Sequence, residues 1–304
     1  MPKSFTGSGK SIKSRLQKQS STITTTGNTS LRKFSEETQE PAPGGFARHK
    51  LEARSDGWQV CGFVADTHLG SKHERLDVLR KLYSWFAEED VKHVYHGGNY
   101  IEGEARFNRH DLKIFGLDNQ IDYFIDKYPQ ETGITTYFIS GDDHEGWYQQ
   151  RECINIGKHL ESESIRAGRK DLCYLGYVEA DIALRTKRGA ETQMRIMHGG
   201  GGGSYAISYR PQRIIESMQG GEKPAIFMIG HYHKMFYSNI RNVHVVLPGC
   251  TEDQSVFMRK KSIEAHIGGA LVRFKQNQRE GFIEEFVPHF RTYFDRGFYG
   301  RKYE

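Results

Sequence analysis

The sequence has few cysteines and no long apolar run, and these two features argue against a disulfide-rich protein and against a membrane-spanning one. Its four cysteines, Cys61, Cys153, Cys173 and Cys250, are scattered and contain no CxxC pair. This spacing predicts reduced cysteines and argues against a disulfide framework or a zinc site built from cysteines. No apolar stretch reaches the length that crosses a membrane, and the first residues lack the hydrophobic core of a secretory signal. We therefore expect a cytoplasmic protein, in the host cytoplasm if the source is viral, with no membrane partner.

Neither sign of charge dominates the chain. Its 43 lysines and arginines and 38 aspartates and glutamates leave a formal net charge of +5. This mild basic excess permits a polyanionic partner without identifying one. With 304 residues, the chain is long enough to bury a substantial core.

Apolar residues are sparse in residues 1–55, where Ser, Thr, Lys, Arg and Gly dominate. Such a stretch buries too little apolar surface to offset the entropy lost on ordering, so we expect a disordered basic tail. We assign residues 56–290 to the folded domain. Residues 291–304 form an arm rich in aromatic and basic side chains.

Strand and helix patterns alternate from Trp58 onward. The periodicity predicts an apolar strand at residues 59–65, an amphipathic helix at 74–86 and a second helix at about 111–128. The second half predicts mainly strands, including one continuous strand at residues 174–184. A βαβαβ half followed by a strand-rich half indicates an α/β fold of four layers, in which two facing mixed sheets lie between helices.

Five short segments that contain metal-binding residue types follow predicted strands. They are Asp66-Thr67-His68, Gly98-Asn99, Asp143-His144-Glu145, Met197-His198-Gly199 and Gly230-His231-Tyr232-His233. Ligands of such folds bind beyond the carboxyl ends of the strands, so we expect these segments to meet. Any one segment is weak evidence, whereas their shared placement is strong. Together they predict two divalent cations that activate water and neutralise a phosphate under attack.

In this order the segments resemble the signature of the calcineurin-like metallophosphoesterase superfamily, which runs D-x-H, GD, GNH-[DE], H and GH-x-H. The form Asp66-Thr67-His68-Leu69-Gly70 resembles its DNA-repair nuclease branch, the Mre-eleven/SbcD group. Residues 198–272 resemble archaeal and phage relatives of the small exonuclease subunit of D-family DNA polymerase. The segments that carry this second likeness are residues 198–205, Tyr209-Arg210-Pro211-Gln212-Arg213, Gly230-His231-Tyr232-His233-Lys234, Pro248-Gly249-Cys250 and Met258-Arg259-Lys260-Lys261. The resemblance covers about residues 58–290 and implies a metallophosphoesterase-like fold.

The resemblance also implies two sets of three metal ligands. The first set is Asp66, His68 and His233, and the second is Asp143, His198 and His231. Asn99 would lie between the two cations, and His144 would be the catalytic histidine, close to the scissile phosphate without binding metal. A hydroxide between the cations would attack phosphorus while His144 steadies or protonates the departing oxygen. Mixed nitrogen and oxygen ligands favour Mn²⁺, Fe²⁺ or Zn²⁺, and the nuclease branch implies Mn²⁺.

Two segments depart from the signature. Asn99 occupies the position of the bridging aspartate, while Asp142 and Asp143 occupy those of the glycine and asparagine of GNH-[DE]. An amide offers one oxygen and no charge, so Asn99 is expected to weaken metal binding. Three explanations remain open: an engineered substitution that disables catalysis, an exchange of roles between positions 99 and 143, and a naturally inactive site like those of phosphoesterase-like subunits of other DNA polymerases.

Basic and aromatic residues near the motifs suit contact with nucleic acid. The candidates are Arg106, Arg109, Arg151, Tyr205, Arg259 and Lys260. Cationic side chains neutralise backbone phosphates, and aromatic rings stack on bases. The arm at residues 291–304 interleaves both types. This composition fits binding to single strands and fits equally well packing on the body of the protein or on a partner subunit.

We expect from these features a DNA nuclease with two metal ions that degrades strands from the 3′ end, cuts endonucleolytically, or does both. Its partner would be single-stranded DNA or duplex ends. One alternative is a phosphatase or phosphodiesterase of small nucleotides, and another is a catalytically silent nucleic-acid-binding subunit. A homodimer and replication or repair partners are further expectations by analogy. The segment before the first motif is too short and polar for the oligonucleotide-binding barrel of the D-family subunit, which predicts a stand-alone enzyme.

Overall fold

The computed structural model describes residues 46–54 and 56–293, and the elements that follow lie within them. The strands are β1 (Phe46–Glu52), β2 (Trp58–Val64), β3 (His93–His96), β4 (Thr135–Ser140), β5 (Leu172–Tyr177), β6 (Glu179–Arg185), β7 (Glu191–His198), β8 (Ile226–Gly230), β9 (Met235–Ile240), β10 (Val243–Pro248), β11 (Gly268–Gln276) and β12 (Ile283–Thr292). The helices are α1 (Leu76–Glu88), α2 (Leu117–Lys127), α3 (Gly146–Glu152), α4 (Ile156–Arg166), α5 (Tyr209–Ser217) and α6 (Val256–Lys260). None of the helices in the described residues is long and apolar enough to cross a membrane.

The strands form two mixed sheets of six strands each. One has the order β1-β6-β7-β8-β10-β9 and the other β12-β11-β2-β3-β4-β5. In the second sheet, β2, β3, β4 and β5 are parallel, while β11 and β12 join antiparallel to β2. In the first sheet, β7, β8 and β10 are parallel. The predicted α/β fold with two mixed sheets is confirmed.

Three apolar clusters hold the layers together. Buried residues of both sheets, among them Phe63 and Ile196, form the cluster between the sheets. A second cluster joins α1, α2 and α4 to the outer face of one sheet, and the predicted apolar stripe of α1, including Leu79 and Phe86, is buried in it. On the outer face of the other sheet, Ile215 of α5 packs with residues of β8 and β10. The order helices, sheet, sheet, helix follows from these contacts.

The prediction of one strand at residues 174–184 is wrong. β5 ends at Tyr177 and β6 begins at Glu179, and the two strands belong to different sheets. Val178 between them has a φ of 67°, a conformation that β-branched residues rarely adopt. Its amide donates to Ser140 at the end of β4, and its carbonyl accepts from the amide of His198. These hydrogen bonds join residues that are distant in sequence, so the segment at residues 174–184 does not by itself indicate the break.

The folded part begins before residue 56. Phe46–Glu52, which the sequence analysis placed in the tail, form β1 and pair in parallel with β6, from Phe46 opposite Asp181 to Glu52 opposite Arg185. The edge of β6 supplies backbone hydrogen bonds that do not depend on side-chain composition, which is why the composition did not indicate this strand. The rest of the predicted tail, residues 1–45, lies outside the described residues.

The predicted arm is likewise shorter than expected. Arg291 and Thr292 belong to β12, and Tyr293 packs against the cluster beneath α1. The guanidinium of Arg291 lies 4.4 Å from the ring centroid of Trp85. Packing on the body of the protein therefore accounts for these residues, and residues 294–304 lie outside the described part.

Two other elements differ from the sequence-based expectation. The second predicted helix begins at Leu117 rather than near residue 111, because Asp111 is held in a turn by the carbonyl of Asn108 and by the ring of His73. The structure also contains β9 and the short helix α6, which were not predicted. Four of the five residues of α6 are exposed, and an exposed segment has a weaker hydrophobic period than a buried one. In β9, four of the six residues are half-buried, so burial does not alternate along the strand.

Candidate metal centre

All five predicted segments lie at the carboxyl ends of strands, and these ends face each other. Asp66, Asn99 and Asp143 follow β2, β3 and β4 of one sheet, whereas His198 ends β7 and His231 follows β8 of the other. The amide of Asp66 donates to Gly98, and that of His68 donates to Asn99, at 3.0 Å each. The two sheets come close together at Gly230, where a Cβ would overlap the carbonyl oxygen of Gly97.

The backbone at these segments is unusual. Five of the seven predicted ligands have positive φ angles: Asp66 (52°), His68 (45°), Asn99 (53°), His231 (83°) and His233 (53°). Residues other than glycine pay roughly 1–3 kcal/mol for such conformations, which persist where the surrounding structure imposes them. The concentration of this strain in one place is typical of a functional site, and the sequence contained no signal for it.

The first predicted set is brought together. Ligand atoms of Asp66, His68 and His233 all lie within 4.8 Å of one another, and the three side chains are buried. Nε2 of His233 lies 3.3 Å from Nε2 of His68 and 3.7 Å from Oδ1 of Asp66. Burial raises the pKa of Asp66 to about 6 and lowers the pKa of both histidines well below the ordinary value. Neutral imidazoles are the form that binds metal ions.

The second predicted set is also brought together, and hydrogen bonds orient its two histidines. Asp143 Oδ1 lies 3.3 Å from Nε2 of His198, and Oδ2 lies 3.4 Å from Nδ1 of His231. His198 Nδ1 donates to the carbonyl of Gly97 at 2.8 Å, and His231 Nε2 donates to that of Gly201 at 3.0 Å. Each histidine therefore directs a lone pair toward Asp143, the arrangement that orients histidines at metal sites.

The nitrogen lone pairs of His198 and His231 face the Asp143 carboxylate, and a positive charge between nitrogen and carboxylate is needed to make this arrangement favourable. Among the described residues, Asp66 Oδ1, Asn99 Oδ1, His198 Nε2 and His231 Nδ1 are buried and have no hydrogen-bond partner. Each such atom costs roughly 1–3 kcal/mol when it stays unsatisfied. Burial lowers the pKa of His198, but the carboxylates of Asp143, Asp66 and Glu145 together outweigh this effect and raise the pKa to about 10. The donor set thus fits divalent cations.

His144, the predicted catalytic histidine, lies beside the first set and is oriented by Glu102. Its Nδ1 donates to the carbonyl of Glu102 at 2.8 Å, so that Nε2 is left for other contacts. The Glu102 carboxylate accepts from Nδ1 of His68 at 2.9 Å and lies 3.6 Å from Nδ1 of His144. Burial lowers the pKa of His144, but the carboxylates of Glu102 and Asp143 outweigh it and raise the pKa. Glu102 was not predicted, although an acidic residue directly after the second motif was a usable signal.

Two more buried glutamates surround the centre. Glu145 Oε1 accepts from the amides of Asn99 at 2.9 Å and Gly141 at 2.6 Å, which fixes the backbone at position 99. Glu252, after β10, accepts from the hydroxyl of Ser71 and places Oε2 3.8 Å from Nε2 of His68 and 3.9 Å from Nδ1 of His233. Burial raises the pKa of Glu145 to about 7 and that of Glu252 well above its ordinary value. Neither residue was predicted from the sequence to have a role in the site.

The glycine run at residues 199–203 supports the second set. Its carbonyls accept hydrogen bonds from Tyr232 at Gly200, from His231 at Gly201 and from Arg210 at Gly202. A Cβ at residue 199 would contact the Tyr232 ring at 2.8 Å. A side chain at residue 199 would therefore overlap Tyr232, and the carbonyl of Gly201 selects the His231 tautomer.

The six predicted nucleic-acid-binding residues are all exposed. Arg106 and Arg109 belong to the loop after Glu102, and Arg259 and Lys260 form the last turn of α6. Two of the six are paired with carboxylates at the surface, Arg109 with Glu104 at 3.6 Å and Arg151 with Glu152 at 3.0 Å. Tyr205 follows the glycine run and is fully exposed.

No protein-family model and no curated protein matches the sequence. Similar folds occur among solved structures. An archaeal phosphodiesterase is 15% identical, with 76% of this chain and 99% of that chain covered, at a TM-score of 0.40. Vps29 of Entamoeba histolytica complexed with zinc is 13% identical, with 76% and 99% covered, at a TM-score of 0.37. A predicted phosphoesterase of Streptococcus pneumoniae is 12% identical, with 77% and 98% covered, at a TM-score of 0.33. Such distant likenesses leave the function to be inferred from the site.

Proposed function

We propose that this protein is a metal-dependent phosphodiesterase. The observation that carries the proposal is the meeting of two adjacent sets of ligands, Asp66 with His68 and His233 and Asp143 with His198 and His231. Several of their donor atoms are buried without a partner. Asn99 Oδ1 would lie between the sets. These residues would hold two divalent cations, which would supply an activated water and neutralise the charge of a phosphate under attack.

His144 is the proposed general acid. Its Nδ1–H is committed to the carbonyl of Glu102, so Nε2 is the atom that holds or delivers a proton to the departing oxygen. Glu102 binds both His144 and His68. It therefore positions the proton donor and the first ligand set together.

Asn99 is the feature that most limits this function. Its Oδ1 is buried without a partner, its amide is held by Glu145, and a Cβ at Gly141 would overlap Oδ1. Asp143 lies against His198 and His231. This position supports Asp143 as a ligand of the second set and argues against an exchange of roles with residue 99. We propose that the side-chain amide of Asn99 weakens metal binding and that the carboxylate of an Asn99→Asp variant restores it.

DNA is the proposed substrate and Mn²⁺ the proposed metal. Exposed cationic side chains on the loop after Glu102 and on α6 support a phosphate-rich ligand. The donors, imidazole nitrogens with carboxylate oxygens, suit Mn²⁺, Fe²⁺ and Zn²⁺. A homodimer and replication or repair partners remain predictions. Surface pairing of Arg109 and Arg151 with glutamates reduces the free positive charge and favours small nucleotides as the second candidate substrate.

One experiment separates the candidates. The protein and its Asn99→Asp variant are incubated with Mn²⁺ and end-labelled single- or double-stranded DNA, and in parallel with bis-p-nitrophenyl phosphate. A ladder of shortened DNA supports the nuclease, and hydrolysis of the small ester with intact DNA supports the small-nucleotide enzyme. DNA retention without turnover by either protein refutes the phosphodiesterase and supports a binding subunit.

A further inference from the structure

Two exposed phenylalanines stand together at the edge of the metal centre. Phe107 belongs to the loop after Glu102 and Phe257 to α6, and their side chains are 45% and 41% exposed. Their ring centroids lie 5.6 Å apart at an angle of 39°. Large apolar rings that lie together on the surface and come from separate segments indicate a binding surface.

Phe107 connects this pair to the proposed chemistry. Its ring meets the ring of His144 edge to face, with centroids 5.3 Å apart and planes at 89°. A nucleotide carries its base one sugar away from its phosphate. A ring in contact with His144 therefore lies within reach of the base whose phosphate is attacked.

The backbone next to each ring is held in place by hydrogen bonds of a buried neighbouring residue. Beside Phe107, the buried Asn108 donates to the carbonyl and the carboxylate of Glu102, and it accepts from the amide of Ala105. Beside Phe257, the buried Met258 donates its amide to the hydroxyl of Ser255, which caps α6. The platform thus exists before any ligand binds, which reduces the entropy lost on binding.

Charge beside the rings indicates the ligand. Arg106 is adjacent to Phe107, while Arg259 and Lys260 follow Phe257 on α6, and all three are exposed. Aromatic rings flanked by cations match a chain of bases joined by phosphates. Every base has a π face, so such a platform reads the presence of a base rather than its identity.

We propose that Phe107 and Phe257 form a stacking platform for the base attached to the phosphodiester under attack. The site then selects nucleotide substrates over other phosphate esters. This inference rests on the proposed function, because it takes His144 as the residue beside the reacting phosphate.

The test measures stacking without turnover. Oligonucleotides with the fluorescent base 2-aminopurine at successive 3′-terminal positions are titrated with the protein in EDTA. Stacking is expected to quench the fluorescence at one position. Replacement of that base by an abasic residue, or Phe257→Ala, should weaken binding by about 5- to 150-fold, the range for one stacked base.

The matched control is Phe282→Ala. Phe282 is similarly exposed, at 51%. It directly precedes β12, at the end of the sheet where Lys275 pairs with Trp58. This end is opposite to the one that carries the metal centre. Phe107→Ala also removes a contact to His144, so Phe107→Trp is included and should retain quenching. Equal affinity for base-containing and abasic DNA, or unchanged binding by Phe257→Ala, overturns the platform.

The two proposals fail separately. Hydrolysis of bis-p-nitrophenyl phosphate by a protein that does not quench 2-aminopurine leaves the phosphodiesterase intact and refutes the platform. Quenching that Phe257→Ala abolishes, in a protein that hydrolyses no ester either with Asn99 or as the Asn99→Asp variant, supports stacking by the two rings and refutes the enzyme.

Discussion

Replacing Asn99 by aspartate should convert a weak metal centre into a strong one. The substitution adds one negative charge at a side-chain oxygen that is already buried and unpartnered. At an effective dielectric constant of about 20, a unit charge pair at about 4 Å is worth about 4 kcal/mol. Repulsion from Asp66 and Asp143 offsets part of this gain. We therefore expect Mn²⁺ to bind about 30- to 1000-fold more tightly, which corresponds to about 2–4 kcal/mol.

The same substitution should destabilise the metal-free protein. Burial already raises the pKa of Asp66 to about 6, and a further buried carboxylate nearby costs roughly 1–3 kcal/mol while it has no partner. At a shift of about 2–4 °C per kcal/mol, Asn99→Asp should melt several degrees lower in EDTA. It should then gain more from Mn²⁺ than the unsubstituted protein does, because the cation binds only the folded state tightly.

Three assays follow this substitution: calorimetric titration of Mn²⁺, thermal melting with and without Mn²⁺, and hydrolysis of bis-p-nitrophenyl phosphate. The control is Asn119→Asp, which adds the same charge to an exposed position of α2. It should change neither the Mn²⁺ affinity nor the hydrolysis; it removes a hydrogen bond to the carbonyl of Phe115, so melting is not part of this control. Unchanged Mn²⁺ affinity together with unchanged hydrolysis in Asn99→Asp would show that the amide is not the limiting feature. The explanation of a disabling substitution would then be lost.

Three further predictions concern the ligands, the acid and the fold. Asp66→Asn and Asp143→Asn should each remove one equivalent of bound metal from a protein that otherwise binds two, as measured by elemental analysis; loss of both equivalents in either variant would contradict independent sets. His144→Asn should lower kcat by about 10²- to 10⁴-fold with metal content unchanged, whereas a loss of metal would make this residue a ligand. Gly230→Ala should lower the free energy of unfolding by about 1–3 kcal/mol in urea, since its Cβ would overlap a carbonyl of the facing loop. Gly220→Ala, in open space, should be neutral, and equal stability of the two variants would contradict the close approach of the sheets.

Local patterns predicted the elements that are both regular and buried. The α1 stripe appears in the sequence because apolar residues recur at the helical period, and the structure buries that stripe. The position of the ligands at strand ends was also predictable from local sequence, because each ligand segment follows a predicted strand. α6 was missed because its residues are mostly exposed, and β9 because four of its six residues are half-buried, so neither element carries a clear periodic signal.

Long-range contacts account for the errors. Val178 divides the segment at residues 174–184 because the ends of β4 and β7 hold its amide and carbonyl. Phe46–Glu52 join the fold because β6 offers an open edge. In each case the partner lies far away along the chain, so no window of sequence contains both members of the interaction.

The sequence by itself determined which residue types are available for chemistry and that they follow strands, because residue identity and local period are properties of short segments. Only the tertiary structure decided which nitrogen of each histidine faces inward, and that Glu102, Glu252 and Phe107 border the site. Those features depend on the packing of two sheets, and on a backbone held in left-handed conformations by contacts between segments far apart in the chain. Packing of that kind is a property of the whole fold.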